Sequence, residues 1–557
     1  MDLLVLPSWA AARDDLTRAC AAAAVTGFLS HVLYFIKGYR DMQAFHILVG
    51  HVLAYGGITA GVATQSGIGR AFVVSTAVFA AYLASLFTSI VTYRLFFHPL
   101  RRFPGPLAAK ITRFYGPWTA RNRQMHLEQM KLFKQYGNIV RIAPNELYIV
   151  SSDAIDKIHA SKSKCRKKDA GVYNAMESQG DFNLDGMLTR EDHRWRRQVW
   201  ERAMTTKQLA VYENSTREVC HIWLDELASA DGQPIDTTLL ANLLTFEHMG
   251  KVGFSHDFGV LQQGKENAML EYLQVMFGIM GQMGELVWPL PIFKGLGVSG
   301  DADKFDQLAQ EMADRRLNSG KNHTNDIIGH FIEDLQSNKP LAFFSHKTLY
   351  LDSALILVAA TDTIGVVLSY LLYHLASNPS YQDALLDQIL PLFGLKIPGE
   401  FTAGDLSTLP LLDACINETM RLDNPVANNA ARLTPPEGIQ VDGTYIPGGI
   451  SVRVPGYVLH RSEAAFERPE DFIPERWTTK PELVKDPKAF FPFLTGPNNC
   501  VGKRLAMNVM RLVVAYTIVN FRFRFAPGED GTDIYAKAKN HLVIRAGPLK
   551  MVFTKRG

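Results

Sequence analysis

The sequence predicts a mainly α-helical, α+β body with small β-sheets, preceded by N-terminal transmembrane helices. Three observations predict it. Residues 71–93 run without a charge. A long helical periodicity occupies residues 190–376. Short alternating runs broken by turn residues flank it, in IVRIAPNELYIV before and GIQVDGTYIPGGISVRVPGYV after.

The membrane region comes first. About 20 apolar residues cross a bilayer core, and 71–93 is the best such run. Two earlier uncharged stretches, 19–36 and 43–69, are more mixed, with His46, His51 and several glycines. They read as two further spans or as a soluble helix pair, so residues 1–100 form a membrane region of one to three spans. Three spans would place the Lys37/Arg40 loop on the same side as Arg94, Arg101, Arg102 and Lys110, and the positive-inside rule makes that side cytosolic. The late start of the apolar run argues against a cleaved signal peptide. Within 101–110, Phe103-Pro104-Gly105-Pro106 cannot continue a helix and reads as a stiff elbow. The body, 104–557, is then one large domain.

Composition narrows the class. With 47% hydrophobic and 20% charged residues, the 557-residue chain is folded rather than disordered. A net charge of +3 gives no electrostatic case for nucleic acid. The five cysteines at 20, 165, 220, 415 and 500 are odd in number, far apart and without zinc spacing, which fits free thiols in a reducing compartment. Asn214, Asn322 and Asn417 begin literal N-x-S/T sequons, read here as chance matches in a cytosol-facing domain.

The sharpest signal is FLTGPNNCVGKRLA, running from Phe493 through Gly496, Asn498, Cys500 and Gly502 to Ala506. A long apolar-periodic segment follows, so Cys500 sits just before a helix start, where unpaired amides and the helix dipole stabilise a thiolate. Glycines let backbone approach a flat cofactor closely. The loop resembles the haem-binding signature of the cytochrome P450 family, F-x-x-G-x-R/H-x-C-x-G, at Phe493, Gly496, Cys500 and Gly502. It departs at Asn498, where the family carries Arg or His against a haem propionate; Asn keeps a donor but no charge. Taken alone, Cys500 also fits a buried structural thiol. The resemblance implies haem b with Cys500 as the iron ligand, a thiolate whose electron density favours O–O cleavage.

Two further motifs stand in the family's order. Glu418 and Arg421 share a helix face in LLDACINETMRL, and Phe472-Ile-Pro474-Glu-Arg476-Trp477 follows. A lone E-x-x-R is usually a surface ion pair of little worth. The resemblance implies a buried structural cluster of Glu418, Arg421 and Arg476. The segment 350–376 is apolar all round, so it is a core helix or a membrane span, and Asp362 in its middle would be costly in lipid. Its Ala359-Ala360-Thr361-Asp362-Thr363 resembles the family's A/G-G-x-D/E-T oxygen-binding stretch, with Ala360 for the usual Gly. Asp362 and Thr363 are then catalytic, passing protons through a water.

The resemblance also implies basic contacts to the haem carboxylates. EDHRWRRQVW is similar to the family's W-x-x-x-R helix, with His193 in the Trp position and Arg197 as the Arg; Arg432 is a third candidate. A solvated face is the bland alternative for each. Arg194, Arg196, Lys503 and Arg504 form a candidate basic face for an acidic electron donor. One motif is a decoy: Gly295-Leu-Gly297-Val-Ser-Gly300 matches G-x-G-x-x-G, but Pro289 and Pro291 spoil the strand that a dinucleotide site needs before it. It reads as a loop near a substrate entrance.

The implied activity is a fungal, microsomal-type monooxygenase of secondary metabolism, in the endoplasmic reticulum membrane with its catalytic domain facing the cytosol. Its partners would be NADPH-cytochrome P450 reductase, O₂, membrane lipid and a lipophilic small molecule such as a terpenoid or steroid, with no nucleic acid. Pocket segments are expected at 171–188, 277–296, 354–363 and 426–429. Three other classes stay open: the same haem fold used for isomerisation or dehydration, a nicotinamide dehydrogenase on the glycine motif, and a channel or transporter.

Overall fold

The computed structural model of the protein describes residues 6–167, 173, 181–284, 286–297, 300–320, 325–428 and 430–556. Three helices come first: α1 (Leu6–Ser30), α2 (Ala44–Ser66) and α3 (Ile68–Thr92). With their continuations, Asp14–Phe35, Asp41–Ser66 and Ile68–Phe97 are each long and apolar enough to cross a membrane. They face outward with Val52, Leu53, Phe72 and Val73 exposed. Between them run polar contacts of the kind that hold helices together where no hydrophobic drive exists. His31 Nδ1 meets Ser89 Oγ at 2.7 Å, His51 Nε2 meets Tyr82 Oη at 3.2 Å, and Tyr55 Oη meets Thr76 Oγ1 at 3.0 Å.

These apolar helices are fastened to the body. In the segment leading into α2, Asp41 pairs with Arg113 at 2.8 Å and the Tyr39 hydroxyl accepts from Asn145 Nδ2 at 2.8 Å. The Arg141 guanidinium donates to the Arg94 carbonyl at 3.0 Å. The elbow at Phe103–Pro106 leaves the helical path and runs beside the first strand, where the Arg141 amide donates to the Pro104 carbonyl at 2.7 Å.

The helices of the body that position the site are α4 (Met125–Tyr136), α5 (Arg190–Ala203), α6 (Thr206–Ser229), α7 (Thr237–Phe254), α8 (Ala268–Met283), α9 (His346–Ser377), α10 (Pro410–Leu422) and α11 (Lys503–Asn520). Their strand partners are β1 (Ile139–Ala143), β2 (Glu146–Ile149), β3 (Arg166–Lys167), β4 (Ile235–Asp236), β5 (Arg432–Leu433), β6 (Ser451–Arg453), β7 (Phe521–Phe525) and β8 (Lys550–Lys555). One sheet has the order β1-β2-β6-β5-β3, with β2 and β6 parallel and the other pairs antiparallel. A second has the order β4-β8-β7 and is antiparallel.

Helix α9 starts at a capping box made by Ser345 and Thr348. It is the fourth helix long and apolar enough to span a membrane, and burial decides between the two readings of its all-round apolarity. In its most apolar window 67% of residues are buried inside the protein, against 6–17% for the three N-terminal helices. It is a core helix, packed along α7 and against α10 and α11.

The glycine motif departs from expectation. Its first glycine closes a short helix, Pro289–Gly295, rather than lying in a loop; Pro at the first helical position supplies the pre-set φ that starts it. This helix packs on α2, and a Cβ at Gly295 would lie 2.5 Å from the Phe45 ring. A helix, not a strand, therefore precedes the motif, while Val298 and Ser299 lie outside the described residues.

Candidate active site

The cysteine loop is built on a turn that only glycine tolerates. Gly496 has φ +72°, and a Cβ there would lie 2.1 Å from the His159 carbonyl oxygen. From it the chain closes tightly: the Asn499 amide donates to Gly496 at 3.1 Å and the Cys500 amide to Phe493 at 2.9 Å. Helix α11 begins three residues after the cysteine, which sets Cys500 at the positive end of that helix beside the amides of Gly502 and Lys503. Burial pushes the Cys500 thiol up; those two amides and the charges of Arg197 and Lys503 pull it down.

Cys500 is nevertheless accessible at its surface, unlike the buried Cys165, Cys220 and Cys415. Among the described residues no amide donates to Cys220 or Cys415, and burial drives their thiols far up, as befits inert core residues. Phe493 is half-buried, with Lys503 Nζ 5.6 Å from its ring centre. Asn498 ends the turn, half-buried, and its side chain makes no hydrogen bond among the described residues.

Basic groups gather beside this loop. Arg197 on α5 donates to Asn499 Oδ1 at 2.8 Å and to Glu201 at 2.8 Å. It thereby ties the cysteine loop to α5, a link through Asn499 that sequence reading did not single out. His193 is buried, and burial together with Lys167, Arg197 and Arg432 holds its pKa down to about 3. Arg432 is buried as well, donating to the Tyr173 hydroxyl at 2.8 Å and to the neighbouring Ala431 carbonyl. Lys167, opposite Arg432 in the β3–β5 pair, donates to the Asp185 carbonyl at 2.6 Å, and burial lowers its pKa to about 8.

Among the described residues no carboxylate forms an ion pair with Lys167 or Arg432. Buried cations left this way are costly unless an anion joins them. A cofactor carrying two carboxylates fits that donor set, and a thiolate-stabilising loop beside it fits a haem iron. Lys167 was missed by the sequence reading; the only hint was the basic run Arg166-Lys167-Lys168.

On α9, Thr363 donates its hydroxyl to the Ala359 carbonyl at 2.9 Å. Burial raises the Asp362 carboxyl to about 6, with Arg545 pulling it down and Glu266 pushing it up. Those two form an ion pair of 3.0 Å.

The Glu418 cluster is wholly buried. Glu418 accepts from Arg421 at 2.8 and 2.9 Å, from Arg476 at 2.8 Å, from the Ile473 amide at 3.0 Å and from the Trp477 indole at 2.9 Å. The remaining guanidinium hydrogens reach backbone carbonyls of His460, Pro469 and Glu467. Every charge in it is therefore satisfied.

The expected basic face needs one correction. Arg194, Lys503 and Arg504 are exposed, but Arg196 is 2% exposed and pairs with Asp352 of α9 at 2.7 Å. The helix turns it inward, since Arg196 shares the face of α5 that holds His193, Val199 and Trp200.

Of the expected pocket segments, Met280–Gly284, Leu286 and Asn428 line a cleft of about 140 Å³ together with residues of α4, β1 and β2. The segment 354–363 does not line this cleft. Half of 171–188, and also Glu285 and Asn429, lie outside the described residues.

Comparison with known proteins agrees with this geometry. The family described as Cytochrome P450 matches residues 104–553. The chain is similar to cytochrome P450 monooxygenase sthD of Phaeosphaeria nodorum, 33% identical over 85% of this chain and 99% of that protein. It is similar to cytochrome P450 monooxygenase FCK2 of Fusarium pseudograminearum, 31% identical over 96% and 97%. It is also similar to tryprostatin B 6-hydroxylase of Neosartorya fischeri, 31% identical over 96% and 98%.

Proposed function

This chain belongs to the cytochrome P450 family, a family of haem monooxygenases, and from that premise we propose that it hydroxylates a lipophilic secondary metabolite. The reaction is R–H + O₂ + two electrons + two protons giving R–OH + water, with electrons from NADPH through a membrane-bound cytochrome P450 reductase. The observation that carries this reading is Cys500 on its tight glycine turn at the start of α11, beside the Gly502 and Lys503 amides. Haem b, when bound, supplies reductive activation of O₂.

The protein's own residues do the rest. Cys500 is the iron ligand, and the two amides with Arg197 favour its thiolate. Phe493, Gly496, Asn498 and Gly502 shape the loop over the cofactor. His193, Arg197 and Arg432, joined by Lys167, form the pole that receives the cofactor carboxylates. Asp362, poised near neutrality, takes protons from solvent at its carboxyl oxygen and hands them on. Thr363 has its proton committed to Ala359, so its oxygen accepts a hydrogen bond from the water that relays them. Glu418, Arg421 and Arg476 lock the core structurally.

The three N-terminal helices anchor the enzyme in the endoplasmic reticulum membrane, the body facing the cytosol with residues 104–557 as the catalytic domain and 101–110 as the elbow. Arg194, Lys503 and Arg504 receive the acidic surface of the reductase. The name of the tryprostatin relative supports hydroxylation as the reaction type.

The test is turnover of a producing strain's extract by the full chain with reductase and NADPH under ¹⁸O₂. One labelled oxygen atom per product molecule is expected. Product formed without oxygen uptake would assign the fold to isomerisation or dehydration instead.

A further inference from the structure

We propose that Gln129 reads the polar group of the substrate, selecting lipophilic molecules that carry a secondary amide such as a lactam; this deepens the monooxygenase reading above and rests on it. Gln129, on α4, is 1% exposed, yet neither its Oε1 nor its Nε2 has a hydrogen-bond partner among the described residues. A buried amide with both ends unmade is costly, and such groups are few in native proteins. This one lines the 140 Å³ cleft between α4, the first sheet and the end of α8.

The cleft is otherwise suited to an apolar guest. Leu132, Met280, Met283 and Leu286 line it. Its charged residues are paired: Arg113 with Asp41 at 2.8 Å, and Arg453 with Glu146 at 3.0 Å. The Arg113–Asp41 pair also places the cleft beside the segment entering α2, where a molecule dissolved in the bilayer would arrive. Asn428 lies on the same lining with its Oδ1 buried and unpartnered. Among the described residues, the lining's buried polar side-chain atoms without a partner are thus one donor and one acceptor side by side on Gln129, with a second acceptor on Asn428.

A cis secondary amide offers the complementary pair, its carbonyl to Nε2 and its N–H to Oε1. A ketone, ether or tertiary amide meets only the donor. An apolar pocket with a few placed polar groups is how small-molecule sites obtain orientation, and a site built to hydrogen-bond rejects the analogue lacking the group because its own polar atoms stay unpaired.

The test uses the full-chain holoenzyme in lipid nanodiscs, with 5-phenylpiperidin-2-one and its N-methyl derivative as probes, measured by equilibrium dialysis. The secondary lactam is expected to bind about tenfold tighter than the tertiary one, the usual size of one lost buried hydrogen bond. Gln129→Met and Gln129→Leu should remove that preference and raise the melting temperature of the probe-free protein, since each deletes an unsatisfied group. A structural glutamine would instead lower the melting temperature when replaced. Equal or absent binding of the two probes in wild type, a preference surviving in both variants, or variants that melt lower would overturn the proposal. A reduced carbon-monoxide spectrum of the same samples separates the two failures: a thiolate-type band with no lactam preference sinks this inference alone, and a missing band in wild type sinks the monooxygenase reading beneath it.

Discussion

Asp362 shows how one residue's surroundings set its charge. Burial raises its carboxyl from an ordinary 3.8 to about 6. The native protein therefore holds a proton that the unfolded chain has already released between those values. Stability falls as pH rises through that window, and the cost stays constant above it. Asp362→Asn should make the protein more stable than wild type at pH 8, with the difference shrinking below pH 4, as thermal melts at both pH values will show. Turnover should drop about 100-fold in that variant, and the limb of its pH–rate profile near pH 6 should vanish. The residues that carry local motifs, Cys500, Gly496, Asp362 and Glu418, were legible in the sequence because their spacing is itself the signal. Lys167, Asn499 and Asp352 were not, because each gains its meaning from a partner far along the chain: Arg432, Arg197 and Arg196 respectively.

Among elements, the lesson concerns what periodicity leaves undecided. The uniform apolarity of α9 fits a bilayer or a protein core equally, and only packing against α7, α10 and α11 settles it as core. The short helix Pro289–Gly295 was hidden by its prolines, which exclude a strand but fit the first turn of a helix. Helix α10 was readable through Glu418 and Arg421, yet its connection to the turn at Pro474–Trp477 depends on Arg476 and Trp477 both reaching one carboxylate. Removing Glu418 leaves two buried guanidinium groups facing each other. Glu418→Ala should therefore cost about 3–5 kcal/mol, read from denaturant unfolding of the holoprotein. Glu418→Ala with Arg476→Ala should cost less than the sum of the two single changes, since the partners act as one network.

For the whole molecule, the sequence disclosed the order of parts: apolar helices, elbow, helical body, cysteine loop. It did not disclose how the parts clasp. The Asp41–Arg113 pair, the Tyr39–Asn145 hydrogen bond and the Phe45–Gly295 contact hold the second apolar helix to the body beside the Gln129 cleft. That arrangement sets the apolar helices beside a cleft, and the cationic pole beside Cys500 is proposed to receive a dianionic cofactor. The proposed function depends on one sulfur. The most direct measurement is the reduced carbon-monoxide difference spectrum of the full chain and of Cys500→Ala. The wild-type protein should give the band of a thiolate-ligated haem and the variant none. A wild-type protein that binds no haem, or a variant that keeps the same band, would contradict the assignment of Cys500 as the iron ligand.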